Sequence, residues 1–358
     1  MDKKTPTEQT KNRIAKLLDK SFAEEILRKH LPEHLDGFQE LESVELEAHK
    51  KHLGATSAVF VVEYRVKYID KQNEQQSIDI FAGAHSDGTK EEAYRKTKFL
   101  YEHGFGKGKY RVTKPLFFSK EQMAFFYEAS IGRSLFHFFT QDPKADLGPS
   151  LTLAAGWIKK LHCFDTNKFK FDWPTFKISG MTPKPSKFIA DFMDQDETQG
   201  KLVKELTEEM NALENKFRAK MGNIVIYGDY HPENIIVFDL NSKDLEMIDF
   251  TDLAYGDPMM DLGTFLQQLD FMGHNFISRE QINNYKTFFI SAYFKKDFDK
   301  IDIEYISRIN LYQAWTALRT AIFLFYMNDA ENPIDDLLQD SQGYLAVVKK
   351  EEKIINLH

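Results

Sequence analysis

Residues 221–263 read MGNIVIYGDYHPENIIVFDLNSKDLEMIDFTDLAYGDPMMDLG. Two apolar, β-branched runs, 235–240 and 246–250, flank the polar segment 241–244, a pattern that predicts a β-hairpin. A turn centred near Ser242 puts Asn234 at the entry and Asp249 at the exit of one open end. An amide oxygen beside a carboxylate suits a hard cation such as Mg²⁺. Asp229 stands five residues before Asn234, directly after a Gly and three residues before a Pro, so it belongs to a shaped loop and not to a helix.

Taken singly these residues are ordinary: a loop Asp, a turn-capping Asn, an Asp at a strand end, and the common turn sequence GDP. Their joint order and spacing carry the signal. Two oxygen ligands and one unshared carboxylate are the minimum for phosphoryl transfer, in which a metal neutralises phosphate charge and a free Asp orients the attacking hydroxyl. YGDYHPENIIV followed by MIDFTDLAYGDPMMDLG resembles the core of the aminoglycoside phosphotransferase and choline kinase family. That family's pattern is HGDxHxxN, an apolar strand, IDF or IDW, then GDPxxDL. Tyr227 replaces the first His, and every other polar position is met.

The resemblance implies an α+β, bilobal, protein-kinase-like fold. A small N-terminal lobe with an antiparallel sheet, residues 1–128, would bind nucleotide. A larger, mainly helical C-terminal lobe, residues 129–358, would carry catalysis and substrate binding. It further implies Asp229 as catalytic base, Asn234 and Asp249 as Mg²⁺ ligands, ATP or GTP as co-substrate and a small-molecule hydroxyl as acceptor. GDPMMDL begins seven residues after Asp249, which leaves no room for a protein-kinase activation segment ending in APE. A protein acceptor is therefore disfavoured, and the absence of a GxSxG elbow argues against a serine hydrolase.

With 358 residues the chain exceeds the size served by one core, so two lobes are expected. An apolar fraction of 42% fits a soluble globular protein. The net charge of −8 argues against a nucleic-acid partner and is compatible with a cationic small-molecule substrate. The single cysteine, Cys163, excludes an intramolecular disulfide and reads as an inert buried thiol. No signal-like segment opens the chain and no apolar run reaches bilayer length, so a cytoplasmic, membrane-free protein is expected.

Upstream, residues 7–31 have the apolar spacing of one or two short helices. Strands are predicted over 41–49, 58–68 and 77–82, and the loop 53–57 would cover phosphates through backbone N–H groups. A helix is predicted over 89–104, ended by Gly104. In the resembled family this helix supplies a Glu, here Glu92 with Glu91 as alternative, that pairs with a phosphate-holding Lys on the third strand. That Lys is missing: the strand reads FAGAH, with Gly83 at the expected position. Either another cation (Lys67, Lys90 or Lys96) takes over, or metal and backbone suffice, or phosphoryl transfer is impaired. The last reading makes the chain a nucleotide-binding pseudo-enzyme.

Residues 121–127 predict the strand before a hinge at 128–131, where the resemblance implies nucleotide contacts from Glu128 and Ser130. A helix is expected over 147–164, ending in a family-like LxxLH whose His162 reads as a packing or capping residue. Residues 165–185 predict a surface connection, and 186–221 a helix with a solvated face. Helices over 258–273, 279–294 and 303–327 follow, with Asp257 and Asp261 expected to bond backbone N–H groups. Tyr312, Trp315 and Arg319 share one face that could line a substrate site, with core packing the favoured reading, and 329–340 is an acidic run that could receive a cationic substrate but reads more simply as solvated surface.

Overall fold

Phe60, Val62, Tyr64 and Val66 alternate along residues 58–70 and are all buried, as the two-residue period of a strand with one covered face requires. They form the floor of the first of two units in the computed structural model, which describes residues 6–54, 57–169, 172–218, 224–327 and 333–357. This unit takes the chain through Gly132 together with Glu246–Thr251. Helices α1 (Glu8–Ala15) and α2 (Lys20–His30) are followed by strands β1 (Phe38–Leu53), β2 (Ala58–Asp70) and β3 (Gln75–His85). Helix α3 (Thr89–Leu100) and strands β4 (Tyr110–Val112), β5 (Pro115–Ser119) and β6 (Ala124–Glu128) complete it.

The sheet is antiparallel, in the order β1-β2-β3-β6-β5. Ile14, Leu17, Ala23 and Leu27 from α1, α2 and the turn between them cover its apolar face, and the Tyr64 hydroxyl donates to the Leu17 carbonyl at 2.6 Å. Asp19 opens α2 by accepting the Phe22 N–H. At Leu100 the α-helix passes into a π turn over Tyr101–Phe105, within which His103 leaves helical geometry and Gly104, expected to end the helix, sits at φ +99°. Of the loop 53–57, residues 55 and 56 lie outside the described residues.

The second unit comprises Arg133–Leu245 and Asp252–His358. It holds β7 (Arg133–Ser134), α4 (Leu135–Gln141), α5 (Gly148–His162), α6 (Pro185–Gln195) and α7 (Glu197–Arg218). Short strands β8 (Ile224–Ile226) and β9 (Ile235–Val237) precede β10 (Leu245–Met247), which leads into the 246–251 segment, and β11 (Ala254–Gly256) pairs antiparallel with β8. Helices α8 (Pro258–Gly273), α9 (Arg279–Phe294), α10 (Ile303–Met327) and α11 (Ile334–Lys350) follow. The class is α+β, as expected. Among the described residues no helix is long and apolar enough to cross a membrane.

The bounds of α8, α9 and α10 coincide with the predicted segments, whereas the single helix predicted over 186–221 is two. Asp196 takes an extended conformation and accepts the Thr198 and Gln199 N–H groups, ending α6 and starting α7. The strands flanking the predicted turn are also shorter than their apolar runs. Asp239 bonds the Asn241 N–H, and the Ser242 hydroxyl accepts the Asp239 N–H, so the chain turns earlier than the hydrophobic pattern suggests. Cys163, expected inside, caps α5 and is exposed.

Helices α8 and α10 lie in backbone contact at Gly263. A Cβ there would stand 2.6 Å from the Ile309 carbonyl oxygen and 2.9 Å from the Gln313 nitrogen. Hydroxyl and amide pairs stitch the same seam one turn apart, Thr264 to Thr316 at 3.0 Å and Gln268 to Thr320 at 3.0 Å. Because the clash is with backbone, Gly263→Ala should push the helices apart and cost about 1–3 kcal/mol. Chemical denaturation reads this directly, and an unchanged midpoint with unchanged slope would contradict the packing account.

Candidate active site

The loop 227–234 has no regular secondary structure beyond one short turn, Pro232–Asn234, so its shape depends on bonds to its neighbours. Asp261, in the first turn of α8 and fully buried, supplies them. One carboxylate oxygen accepts the Tyr227 N–H at 2.7 Å and the other the Gly228 N–H at 2.8 Å. His162, at the end of α5, donates Nε2–H to Asp261 at 2.9 Å, and its Nδ1 meets the Tyr293 hydroxyl at 2.8 Å. Asp257 caps α8 through the Met259 N–H and is gripped from α10 by the Arg308 guanidinium, through Nε at 2.8 Å and through Nη2. Both aspartates thus bond the backbone groups expected of them.

Gly228 sits at φ +89°, and a Cβ there would strike the Asp252 carbonyl oxygen at 2.3 Å, so only glycine fits. The tight bend this allows presents Asp229. Tyr227, where the family pattern has His, is buried edge-on to Trp157 and Tyr230 and makes the loop's underside aromatic.

A guanidinium and an imidazole face the Asp229 carboxylate. Arg319 of α10 forms an ion pair with Oδ1, and His231 Nε2 lies 3.4 Å from Oδ2. Burial by itself raises the carboxyl, but Arg319 and then His231 outweigh it and hold the group well below the ordinary carboxylate range. Of Tyr312, Trp315 and Arg319 on α10, Arg319 is the one that does not go to the core. Tyr312 and Trp315 are buried as expected, while the next turn of α10 carries Arg319 to the loop. Sequence reading missed this role, since nothing local marks a pair 90 residues apart.

Asn234 lies in the same loop. Its Nδ2 donates to the Asp229 carbonyl at 3.2 Å and sits 3.0 Å from His231 Nε2. That fixes the amide orientation and leaves Oδ1 without a donor among the described residues, a free oxygen of the kind a hard cation takes.

In the first unit, Asp249 is held at φ +55°, a left-handed conformation uncommon for a residue with a side chain. Its Oδ1 accepts the Thr251 hydroxyl at 2.6 Å and N–H at 3.3 Å. Among the described residues Oδ2 then faces Lys90 Nζ, at 3.5 Å. This donor set also fits a magnesium ligand.

The remaining expected residues are placed as follows. Glu92 and Glu91 both pair with Arg95 on their own helix, each at 3.0 Å, and not with a lysine of the sheet. The Glu128 carboxylate meets Lys114 at 3.1 Å, and its carbonyl accepts the Thr113 hydroxyl at 2.8 Å. The Ser130 hydroxyl bonds Glu246. These side chains are engaged within the unit.

Replacing Arg319 tests the electrostatics of the loop without reference to activity. In Arg319→Met the Asp229 carboxyl loses its main stabilising charge while its burial remains, so its titration should move up by roughly 1–3 pH units. Carbon-13 NMR of the Asp229 side chain measures this, and an unmoved titration would show that the ion pair does not form in solution.

Comparison with known proteins agrees with this arrangement. The model of the phosphotransferase enzyme family matches residues 68–299, well over half of the chain. No curated protein sequence matches. Among solved structures, the ADP-bound aminoglycoside phosphotransferase APH(2'')-Ib is similar with a TM-score of 0.53 and 15% identity, over 92% of this chain and 99% of that one. An ethanolamine kinase of Plasmodium vivax gives a TM-score of 0.54 at 13% identity, over 92% and 87%. An amicoumacin kinase in complex with AMP-PNP, Ca²⁺ and its antibiotic gives 0.55 at 13% identity, over 90% and 93%. At these identities the likenesses speak for the fold, which is protein-kinase-like. The chain belongs to the phosphotransferase enzyme family.

Proposed function

We propose that this protein transfers the γ-phosphoryl group of ATP or GTP to a hydroxyl of a small molecule. The observation that carries the reading is Asp229: an ionised carboxylate on a loop whose two preceding N–H groups are clamped by buried Asp261. Residues 1–128 are assigned to the nucleotide and 129–358 to catalysis and the acceptor.

In this reading the acceptor oxygen bonds to the γ-phosphorus as the bond to the β–γ bridging oxygen breaks, and the hydroxyl proton passes to Asp229. A carboxylate held this far below its ordinary range is a weak base. Its main contribution is to hold the hydroxyl in line, accepting the proton only once the bond to phosphorus has largely formed, which suits a loose transition state. Arg319 keeps Asp229 ionised and fixed in direction. Asn234 offers its free amide oxygen and Asp249 its outer carboxylate oxygen to Mg²⁺, each read within its own unit. When bound, the metal would offset phosphate charge.

Similar structures include a ternary complex of APH(2")-IIa with streptomycin and ATP and kinases named for amicoumacin and ethanolamine, small molecules that bear hydroxyl and amino groups. A net charge of −8 favours the same class. We assign an amino-alcohol or aminoglycoside acceptor on that basis. The second reading, a nucleotide-binding module without efficient turnover, rests on Gly83 where a strand lysine is expected.

The two readings separate by measurement. A thermal-shift screen with ATP and GTP, each with Mg²⁺, should stabilise the protein by about 2.7 kcal/mol at a hundredfold excess over the dissociation constant. Turnover on a panel of amino-alcohols and aminoglycosides then distinguishes enzyme from module. Asp229→Ala should leave nucleotide binding nearly intact and lower kcat by at least about 10²-fold. Persistent activity in that variant would remove Asp229 from the mechanism.

A further inference from the structure

The strand position that lacks a lysine is not an empty one. Strand β3 ends at His85 and α3 starts at Thr89, with only three residues between them. Gly88 at φ +81° reverses the chain, and Asp87 accepts both the N–H and the hydroxyl of Thr89. This tight turn aims Lys90, the second residue of α3, back along β3. A Cβ built on Gly83 meets one side-chain atom within 4 Å, Lys90 Cε, at 3.8 Å. The stem of Lys90 therefore passes over the place a side chain at Gly83 would occupy.

The ammonium is held but not used up. Nζ lies 3.5 Å from Asp249 Oδ2 and 3.4 Å from Thr251 Oγ1, and the described residues offer it no closer anion. These are long contacts for a group with three donors. A lysine in the first turn of a helix also opposes the helix dipole, which favours acidic residues there. Its placement is thus unfavourable for α3 itself and well suited to an external anion.

The other candidate cations are excluded by position. Lys96 is 5% exposed and donates to the Thr251 carbonyl at 2.8 Å, fixing the segment that bears Asp249. Lys67 pairs with Ser77, whereas Gly83 pairs with Val61. Six residues along a strand is about 20 Å, far beyond the reach of a side chain. Glu92, bound to Arg95, is not the orienting acid; Asp249 and Thr251 take that part.

We propose that Lys90 is the phosphate-binding cation of this protein, relocated from the third strand to the helix that follows it, with Gly83 as the space that admits it. The proposal rests on the phosphotransferase reading above. It assigns Lys90 to the phosphates of the nucleoside triphosphate, beside the carboxylate that would ligate magnesium.

The test compares wild type, Lys90→Met and the double variant Gly83→Lys/Lys90→Met by calorimetric titration with ATP, ADP and adenosine, in Mg²⁺. Methionine keeps the stem over Gly83 and removes the charge, and circular dichroism checks that each variant folds. Lys90→Met should bind ATP at least about tenfold more weakly and adenosine as well as wild type does. Its turnover should fall by roughly 10²–10³, the usual effect of losing one preorganised charge. Returning a lysine to the strand in the double variant should restore most of the ATP affinity. Equal ATP affinity in wild type and Lys90→Met overturns the assignment while leaving the phosphotransferase reading intact, as does equal weakening of ATP and adenosine. Absence of nucleotide binding in wild type overturns both.

Discussion

Both oxygens of the buried Asp261 carboxylate are bonded to the backbone of a loop that begins 34 residues earlier, and a histidine from a second helix closes the set. The loop 227–234 has little hydrogen bonding of its own, so this carboxylate does for it what a ladder does for a strand. Hydrogen bonds to a charged group contribute about 1.5–3 kcal/mol each, and leaving one buried partner unpaired costs a comparable amount. The geometry of Asp229 and Asn234 therefore depends on α5 and α8 being in place. That dependence explains the density of the packing below: Gly263 brings α10 against α8, and Arg308 of α10 grips Asp257 at the head of α8.

The same helix sets the charge of the loop. Arg308 and Arg319 stand eleven residues apart on α10, close to three helical turns, and so lie on the same side of it. One neutralises a structural aspartate and the other the aspartate we assign to catalysis. Burial alone would move the Asp229 carboxyl toward its neutral form; Arg319 reverses that tendency. In the first unit the analogous arrangement is smaller: Thr251 takes one oxygen of Asp249 and Lys90 faces the other.

These arrangements place the departures from the family pattern on a common footing. Tyr227, in place of His, fills an aromatic layer with Trp157 and Tyr230 and leaves the backbone bonds of the loop unchanged. Gly83, in place of Lys, leaves room for the stem of a lysine from the next helix.

The sequence by itself determined the fold class, the family, the bounds of α8, α9 and α10, and the order of Asp229, Asn234 and Asp249 along the chain. Those features are local: a 3.6-residue apolar period, a cap at Asp257, and a spaced set of polar residues each report on a few neighbours. It misjudged where Asp196 divides a helix and where Asp239 begins a turn, because a single side chain competing for backbone N–H groups overrides a periodic pattern. Only the tertiary structure decided that Arg319 pairs with Asp229, that Glu92 turns to Arg95, and that Lys90 lies over Gly83. Periodicity tells which face of a helix is apolar; it does not tell which distant charge meets the end of that face, since that is fixed by how closely backbones approach and by the few turns that aim them.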